Sequence, residues 1–320
     1  MDINRTSGKR VSASQRDSVT AQSNQATIRQ PWKSLAAVAF GLLLSVPGLT
    51  QAQYRFSTID VPGATATEAN GNSTDEIAGA FADAGGNTHG FVLNKGVFTT
   101  IDVPGAITTF INGINAPAQL AGSYDDAATR HAFFKNDTYF TTLDPPGSIR
   151  SQGGFINAQG EVVGTYRDAT QRRHGFIWRN GTFTTFNVPG DDPVLGTVAF
   201  GINDIGEVVG DYVAASDGNR HGFLRSSKGD FTTFDVPGAV ITVGEGINNA
   251  GTIVGVYLLA DGTIHGFVLN NGVFTTVDVP DPSGIAQQTE INSINAKGEI
   301  VGYYIDSLGV FHGFLGVPVR

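Results

Sequence analysis

The sequence predicts an all-β chain built from one repeated unit of short strands, and three observations carry that reading. The stretch Phe98-Thr99-Thr100-Ile101-Asp102-Val103-Pro104-Gly105-Ala106 has copies that begin at Phe56, Phe140, Phe183, Phe231 and Phe274, with Phe spacings of 42, 42, 43, 48 and 43 residues. A period of that length suits four short strands better than a helical hairpin. The composition agrees, because 42 glycines and 21 phenylalanines against 2 tryptophans fit strands joined by tight turns. The ends are complementary: the first copy supplies a lone Phe-Thr-Thr type strand at residues 54–62, and the last stops one strand short at Phe314-Leu315-Gly316-Val317-Pro318. A ring whose N-terminal strand pairs in the last unit leaves no large face exposed. The expectation is therefore a six-bladed β-propeller with four-stranded blades, one domain over residues 53–320.

Each strand has its own signature. The first ends in Ile-Asn at Ile114-Asn115, Ile156-Asn157, Ile202-Asn203, Ile247-Asn248 and Ile294-Asn295, with Asn72 read as a degenerate first version. Turns such as Ala158-Gln159-Gly160 follow, where Gly and Asn supply the backbone angles of a tight turn. The second strand is Val162-Val163-Gly164-Thr165-Tyr166, with relatives centred on Gly210, Gly255 and Gly302. The third carries every histidine of the chain, as His89, His131, His174, His221, His265 and His312, each two residues before a Phe. Asn180-Gly181 and Asn271-Gly272 are hairpin signals that join it to the fourth, Phe-Thr-Thr strand.

Residues 1–52 read as a leader and signal peptide. A basic, polar stretch precedes an apolar run from Ser34 to Val46, Pro47-Gly48 ends the run, and Thr50-Gln51-Ala52 offers a cleavage site before Gln53. The run is short for a membrane span, so no stable anchor is expected after cleavage. The chain carries a formal net charge of −9, and the basic leader leaves the remainder more acidic still. Such a field repels phosphate backbones and anionic lipid, which disfavours nucleic acid as a partner. The absence of cysteine removes disulfide frameworks, thiolate metal sites and cysteine nucleophiles.

The combined pattern resembles the bacterial extracellular HAF-repeat proteins, named after a His-Ala-Phe signature. His131-Ala132-Phe133 matches it literally, the other five copies read His-Gly-Phe, and the resemblance spans about residues 54–320. It implies secretion and a repeat architecture, and it supplies no catalytic residues to carry over.

The six histidines invite a metal reading, which the expected geometry opposes. A third strand lies about 17 Å from a propeller axis at ~4.8 Å per strand, and neighbours in a sixfold ring are one radius apart. Ligand bonds are about 2 Å long. Each imidazole is instead expected to be structural, bonded within its own blade to the Asp or Asn of the preceding turn. Asp60, Asp102, Asp144, Asp235 and Asp278, with Asn187 in the fourth copy, are read as caps of the Pro-Gly turns. The glycines at 164, 210, 255 and 302 are attributed to close packing of blade on blade. No Gly-x-Ser-x-Gly, phosphate-binding loop or His-Glu-x-x-His appears, so neither a cofactor nor a metal is assigned.

What does not repeat is the remaining signal. First-strand positions expected to face the channel diverge into Glu68, Asn112, Gln152, Phe200, Glu245 and Glu290, alongside Thr67, Thr109 and Asn292. The loops Asp191–Gly196 and Asp281–Gln287 are longer than their counterparts, and loops on a rigid scaffold commonly carry binding. The leading expectation is a secreted, non-enzymatic binding module whose ligand is a glycan or an extracellular protein, taken at the channel mouth. One alternative is a propeller hydrolase or lyase using Glu245 and Glu290. Another is a structural surface or matrix protein.

Overall fold

The computed structural model describes residues 50–51, 54–281, 284–285 and 288–319, and among them every regular element is a β-strand. The expected leader, except for Thr50–Gln51, and most of the loop over residues 281–287 lie outside the described residues. The strands pair antiparallel in sets of four in the order in which the repeat delivers them. The first three sets are separate sheets, and the later ones are joined into one 13-stranded sheet by the parallel pairs Arg220 with Ile241 and Ile264 with Gln288, with Thr50–Gln51 parallel to Thr275–Thr276. The first set is Ala66–Asn72, Glu76–Ala82, Thr88–Asn94 and Val97–Ile101; the second is Thr108–Ile114, Leu120–Asp125, Arg130–Lys135 and Phe140–Thr142. The third is Ser148–Ile156, Val162–Asp168, Arg173–Arg179 and Thr182–Phe186. A fourth follows as Thr197–Ile202, Val208–Val213, Arg220–Arg225 and Phe231–Phe234, and a fifth as Ala239–Ile247, Ile253–Leu259, Ile264–Asn270 and Val273–Val277. Gln288–Ile294, Ile300–Ile305 and Phe311–Pro318 come last, and Phe311–Pro318 pairs with Tyr54–Ile59, Phe56 lying opposite Gly316.

The reason the repeat is Phe-rich is visible in each set. The Phe two residues after each histidine (Phe91, Phe133, Phe176, Phe223, Phe267, Phe314) is completely buried. Each meets the fourth-strand Phe edge to face, as in Phe91 with Phe98 at 5.5 Å, Phe267 with Phe274 at 5.5 Å and Phe314 with Phe56 at 5.7 Å. That geometry adds quadrupolar attraction to the burial of two large rings. The second-strand glycines serve this same Phe. A Cβ on Gly164 would lie 2.5 Å from Cζ of Phe176 and collide with the carbonyl of Gln152 in the adjoining strand. Their cause is thus crowding inside one set, which corrects the attribution to packing between blades. First-strand glycines take that second duty: a Cβ on Gly71 would sit 2.7 Å from the carbonyl of Asn112, and one on Gly246 2.9 Å from that of Asn292.

Successive sets are laced by the Asn that ends the first strand. Asn115 donates its amide to the carbonyl of Asn157, Asn157 to that of Asn203, Asn203 to Asn248, Asn248 to Asn295, and Asn295 to Ser73. The same side chains accept from backbone N–H groups of their own turns, for example Glu161 N–H and Glu207 N–H. Ser73, not Asn72, therefore fills this place in the first set, where a turn one residue shorter is capped by its hydroxyl accepting from Glu76 N–H at 3.2 Å. Asn72 instead reaches back to the carbonyl of Glu299 at 2.9 Å.

Candidate functional site

The candidate site grows from two facing positions whose pair of residues is different in each set. One precedes the residue opposite the second-strand glycine, and the other is the residue following that glycine. Register pairs them as Glu68 with Ala80, Phe110 with Ser123, Gln152 with Thr165, Val198 with Asp211, Val243 with Val256, and Glu290 with Tyr303. A first-strand bulge follows immediately, between residues such as Ile291 and Ser293, and brings Glu245 and Asn292 into the same region. Bulges commonly re-aim side chains in this way.

Three carboxylates from the fifth, last and first sets meet here. Tyr303 donates its hydroxyl to Glu290 Oε2 at 2.6 Å, and both residues are only 2 % exposed. Glu245 is 4 % exposed, and among the described residues neither its Oε1 nor Oε1 of Glu290 has a hydrogen-bond partner. Glu68 keeps part of its surface to solvent yet is surrounded by protein, and burial followed by the charge of Glu290 pushes its carboxyl up to about 8. Burial raises Glu290 to about 7 against the opposing bonds from Tyr303 and Gln288. Glu245 is driven well above the ordinary range by burial, then by Glu290 and Asp211, with Arg220 opposing. Burial and mutual repulsion thus favour the neutral form of these acids, and a protonated carboxyl both donates and accepts a hydrogen bond. Beside them Asp211 is completely buried with Nε of Arg220 at 3.0 Å from its Oδ2.

The other residues singled out in the sequence either have structural work or occupy the same level without joining the acids. Asn112 gives its amide to the carbonyl of Gly153 at 2.6 Å, the same inter-set bond that Asn70 makes to Ile111. Gln152 is half-buried opposite Thr165. Phe200 packs in an apolar cluster with Val198, Val243 and Val256. Thr67 and Thr109 have a repeated structural task, since their hydroxyls accept from Val61 N–H and Val103 N–H. In the longer loop at 191–196, Asp191 accepts from Thr197 and Arg172, and Asp192 accepts from the N–H groups of Val194 and Leu195. Tyr303 and Asp211 escaped the sequence reading because they sit in a strand recognised by its repeated Gly and Tyr. The variable residue between those two was the available signal.

Every histidine is bonded inside its own set, through a partner the sequence reading assigned to other work. Nδ1 of His89, His131, His221, His265 and His312 lies 2.8–3.1 Å from Asp102, Asp144, Asp235, Asp278 and Asp60, and His174 uses Asn187 at 3.0 Å. These aspartates therefore hold imidazoles. The Pro-Gly turns are closed by the backbone, as in Ala106 N–H to Val103 carbonyl at 3.0 Å. Nε2 meets the preceding turn, for instance Asp168 at 3.1 Å from His174. Among the described residues no three His, Asp or Glu side chains are arranged to hold a metal ion.

The architecture is similar to that of known β-propellers. TolB from Acinetobacter baumannii superposes with a TM-score of 0.53 at 10 % identity over 76 % of this chain, which spans 64 % of the TolB chain. AofleA from Arthrobotrys oligospora gives 0.52 at 12 % identity, over 83 % of this chain and 86 % of that one. A fungal lectin from Aleuria aurantia, described as a six-bladed β-propeller, gives 0.46 at 13 % identity over 82 % and 98 % of the two chains. At these identities the likeness is one of fold. No family model and no curated protein sequence matches the chain.

Proposed function

We propose that this chain is a secreted binding module, a six-bladed propeller closed by its N-terminal strand, which takes a glycan at its axis through Glu68, Glu245, Glu290 and Tyr303. Six blades and closure are supported by the four-stranded pairings, by Tyr54–Ile59 beside Phe311–Pro318, and by the amide link from Asn295 to Ser73. Secretion rests on the apolar run and cleavage pattern before Gln53 and on the resemblance to the HAF-repeat proteins. The observation that carries the binding reading is the pair of buried Oε1 atoms on Glu245 and Glu290 that find no partner among the described residues. Leaving such atoms unsatisfied is costly, and a sugar hydroxyl answers both the donor and the acceptor of a protonated carboxyl.

The test is a glycan array with the mature chain, followed by calorimetric titration of the best binder. Replacing both acids together by Ala is expected to lower affinity at least tenfold, while Glu245→Gln with Glu290→Gln retains it within about threefold, because an amide preserves a donor and an acceptor. Failure of every glycan to bind, with melting curves showing an intact fold, overturns the reading. A second reading has its own support: carboxyls held at about 7 and about 8 are suited to general acid work near neutrality. Hydrolysis of the bound glycan, abolished by Glu290→Gln, would mark the chain as a hydrolase.

A further inference from the structure

The hydroxyl of Tyr303 decides where the proton of Glu290 can sit. Tyr303 is 2 % exposed, and among the described residues its hydroxyl has one hydrogen bond, to Glu290 Oε2 at 2.6 Å. A buried hydroxyl hydrogen left without an acceptor is costly. If Glu290 carried its proton on Oε2 and donated it to Tyr303, the hydroxyl hydrogen would lose that acceptor. Tyr303 therefore donates, and the proton of neutral Glu290 belongs on Oε1, the buried atom that finds no partner among the described residues.

The neighbours of Glu290 are the reason that it takes a proton at all. The first strands of the fifth, last and first sets lie side by side. Asn292, two residues beyond Glu290, donates to Asn70 Oδ1 at 2.9 Å, and Asn70 stands two residues beyond Glu68. Gly246, next to Glu245, has the carbonyl of Asn292 against it. Three acids from three strands thus meet, and Asp211 adds its charge to that felt by Glu245. The cation that acts on Glu245 is Arg220, whose Nε lies 3.0 Å from Asp211, and Arg173 also acts on Asp211. Tyr303 and Gln288 favour the ionised form of Glu290, and burial opposes them. Acids buried together disfavour one another's ionisation. In the neutral state Glu290 presents a donor at Oε1, and in the ionised state it presents acceptors only.

We propose that Tyr303 is a positioning residue that fixes the proton of Glu290 on Oε1, so that the site offers its ligand a donor and binding is lost as Glu290 ionises. The placement of the proton stands on the Tyr303 bond, whereas the link to affinity rests on the glycan-binding reading above. Two measurements on the mature chain test the two parts separately. Infrared difference spectra between about pH 5 and 9 follow the carboxylic-acid C=O stretch, outside the ordinary Glu range. A band that titrates near neutrality and is missing in Glu290→Gln is expected. Its midpoint should move to higher pH in Tyr303→Phe, because a bond that favours the carboxylate is gone. Calorimetric titration over the same range uses neutral trimers of galactose and of N-acetylglucosamine. Affinity should fall about tenfold per pH unit above the infrared midpoint, as the loss of one required proton dictates. Glu245→Gln with Glu290→Gln should hold affinity constant across the range to within about threefold, since an amide donates at every pH. Tyr303→Phe should move the fall upward together with the band, whereas a merely structural Tyr303 would lower affinity equally at every pH. The expected infrared titration with no glycan bound upholds the proton placement and removes the glycan reading. Wild-type affinity that is flat or rises with pH, or a midpoint that Tyr303→Phe leaves in place or lowers, overturns the proposal. Should Tyr303→Phe fail to fold, a band that survives in Glu290→Gln overturns it as well.

Discussion

Replacing Asn203 by Ala removes one link from the amide lacing and tests whether that lacing stabilises the fold. Asn203 is 3 % exposed, and its side chain makes three bonds: to the carbonyl of Asn248 at 3.2 Å, to Glu207 Oε2 at 2.8 Å, and from Glu207 N–H at 2.9 Å. At about 1 kcal/mol for each bond, with the carboxylate bond partly screened, the expected loss is about 3 kcal/mol. For a domain of this size that corresponds to a Tm lower by roughly 6–12 °C. Each amide addresses its neighbour's backbone carbonyl, which survives truncation of the neighbour's side chain. The double change Asn203→Ala with Asn248→Ala should therefore add to within about 0.5 kcal/mol. Urea denaturation monitored by tyrosine and tryptophan fluorescence gives the free energies, with Asn219→Ala, at an exposed turn position, as the reference. A loss at Asn203 no greater than that of the reference would show that the lacing is geometry without energetic weight.

Two further outcomes follow from the same structure. His89, His221, His265 and His312 are raised, burial being outweighed by their aspartates in all but His265, where the Asp278 bond itself leads; Glu68, Glu245 and Glu290 are raised by burial. Groups raised on folding contribute stability that is present below their unfolded values, about 6.5 for His and 4.3 for Glu, and lost as pH climbs through the folded values. The turn aspartates, among them Asp126 and Asp306, are lowered by backbone N–H groups and contribute above about 3.9. Calorimetric Tm should peak near pH 4–5 and fall toward about pH 8; a higher Tm at pH 8 than at pH 5 contradicts these shifts. Gly164→Ala forces a methyl group against Phe176 and the Gln152 carbonyl, so chemical denaturation should show a loss of about 1–3 kcal/mol, and a neutral result would mean that the set relaxes.

Much of this fold was legible because the repeat states it many times. Asn180 and Asn271 have φ of 46° and 49° and precede Gly181 and Gly272 in the same left-handed region, as the hairpin signals anticipated. Lys95 takes the same conformation at 48° before Gly96, where the residue type gave no warning. The pairing of His131 with Asp144 was not legible. Thirteen residues and a hairpin separate them, and only the register of Phe133 with Thr142 brings the strand end beside the imidazole. At the candidate site the acids at 68, 245 and 290 stood out by failing to repeat. Tyr303 and Asp211 did not, because a chain of one dimension does not show that the residue after a glycine faces the residue that varies.

The division of labour between repeated and unrepeated residues explains why the chain can be so regular and still carry one asymmetric site. The Phe pairs, the imidazole–aspartate bonds and the amide lacing recur from set to set and use positions that leave the first-strand residue before the bulge, and its partner after the second-strand glycine, unassigned. Those positions are free to differ, and they differ by region. In the last and first sets they carry Glu290 and Glu68, and the bulge of the fifth adds Glu245, whose carboxyl feels Glu290. Because none of the repeated bonds passes through Glu68, Glu245 or Glu290, these acids can change without disturbing the Phe pairs, the imidazole–aspartate bonds or the amide lacing.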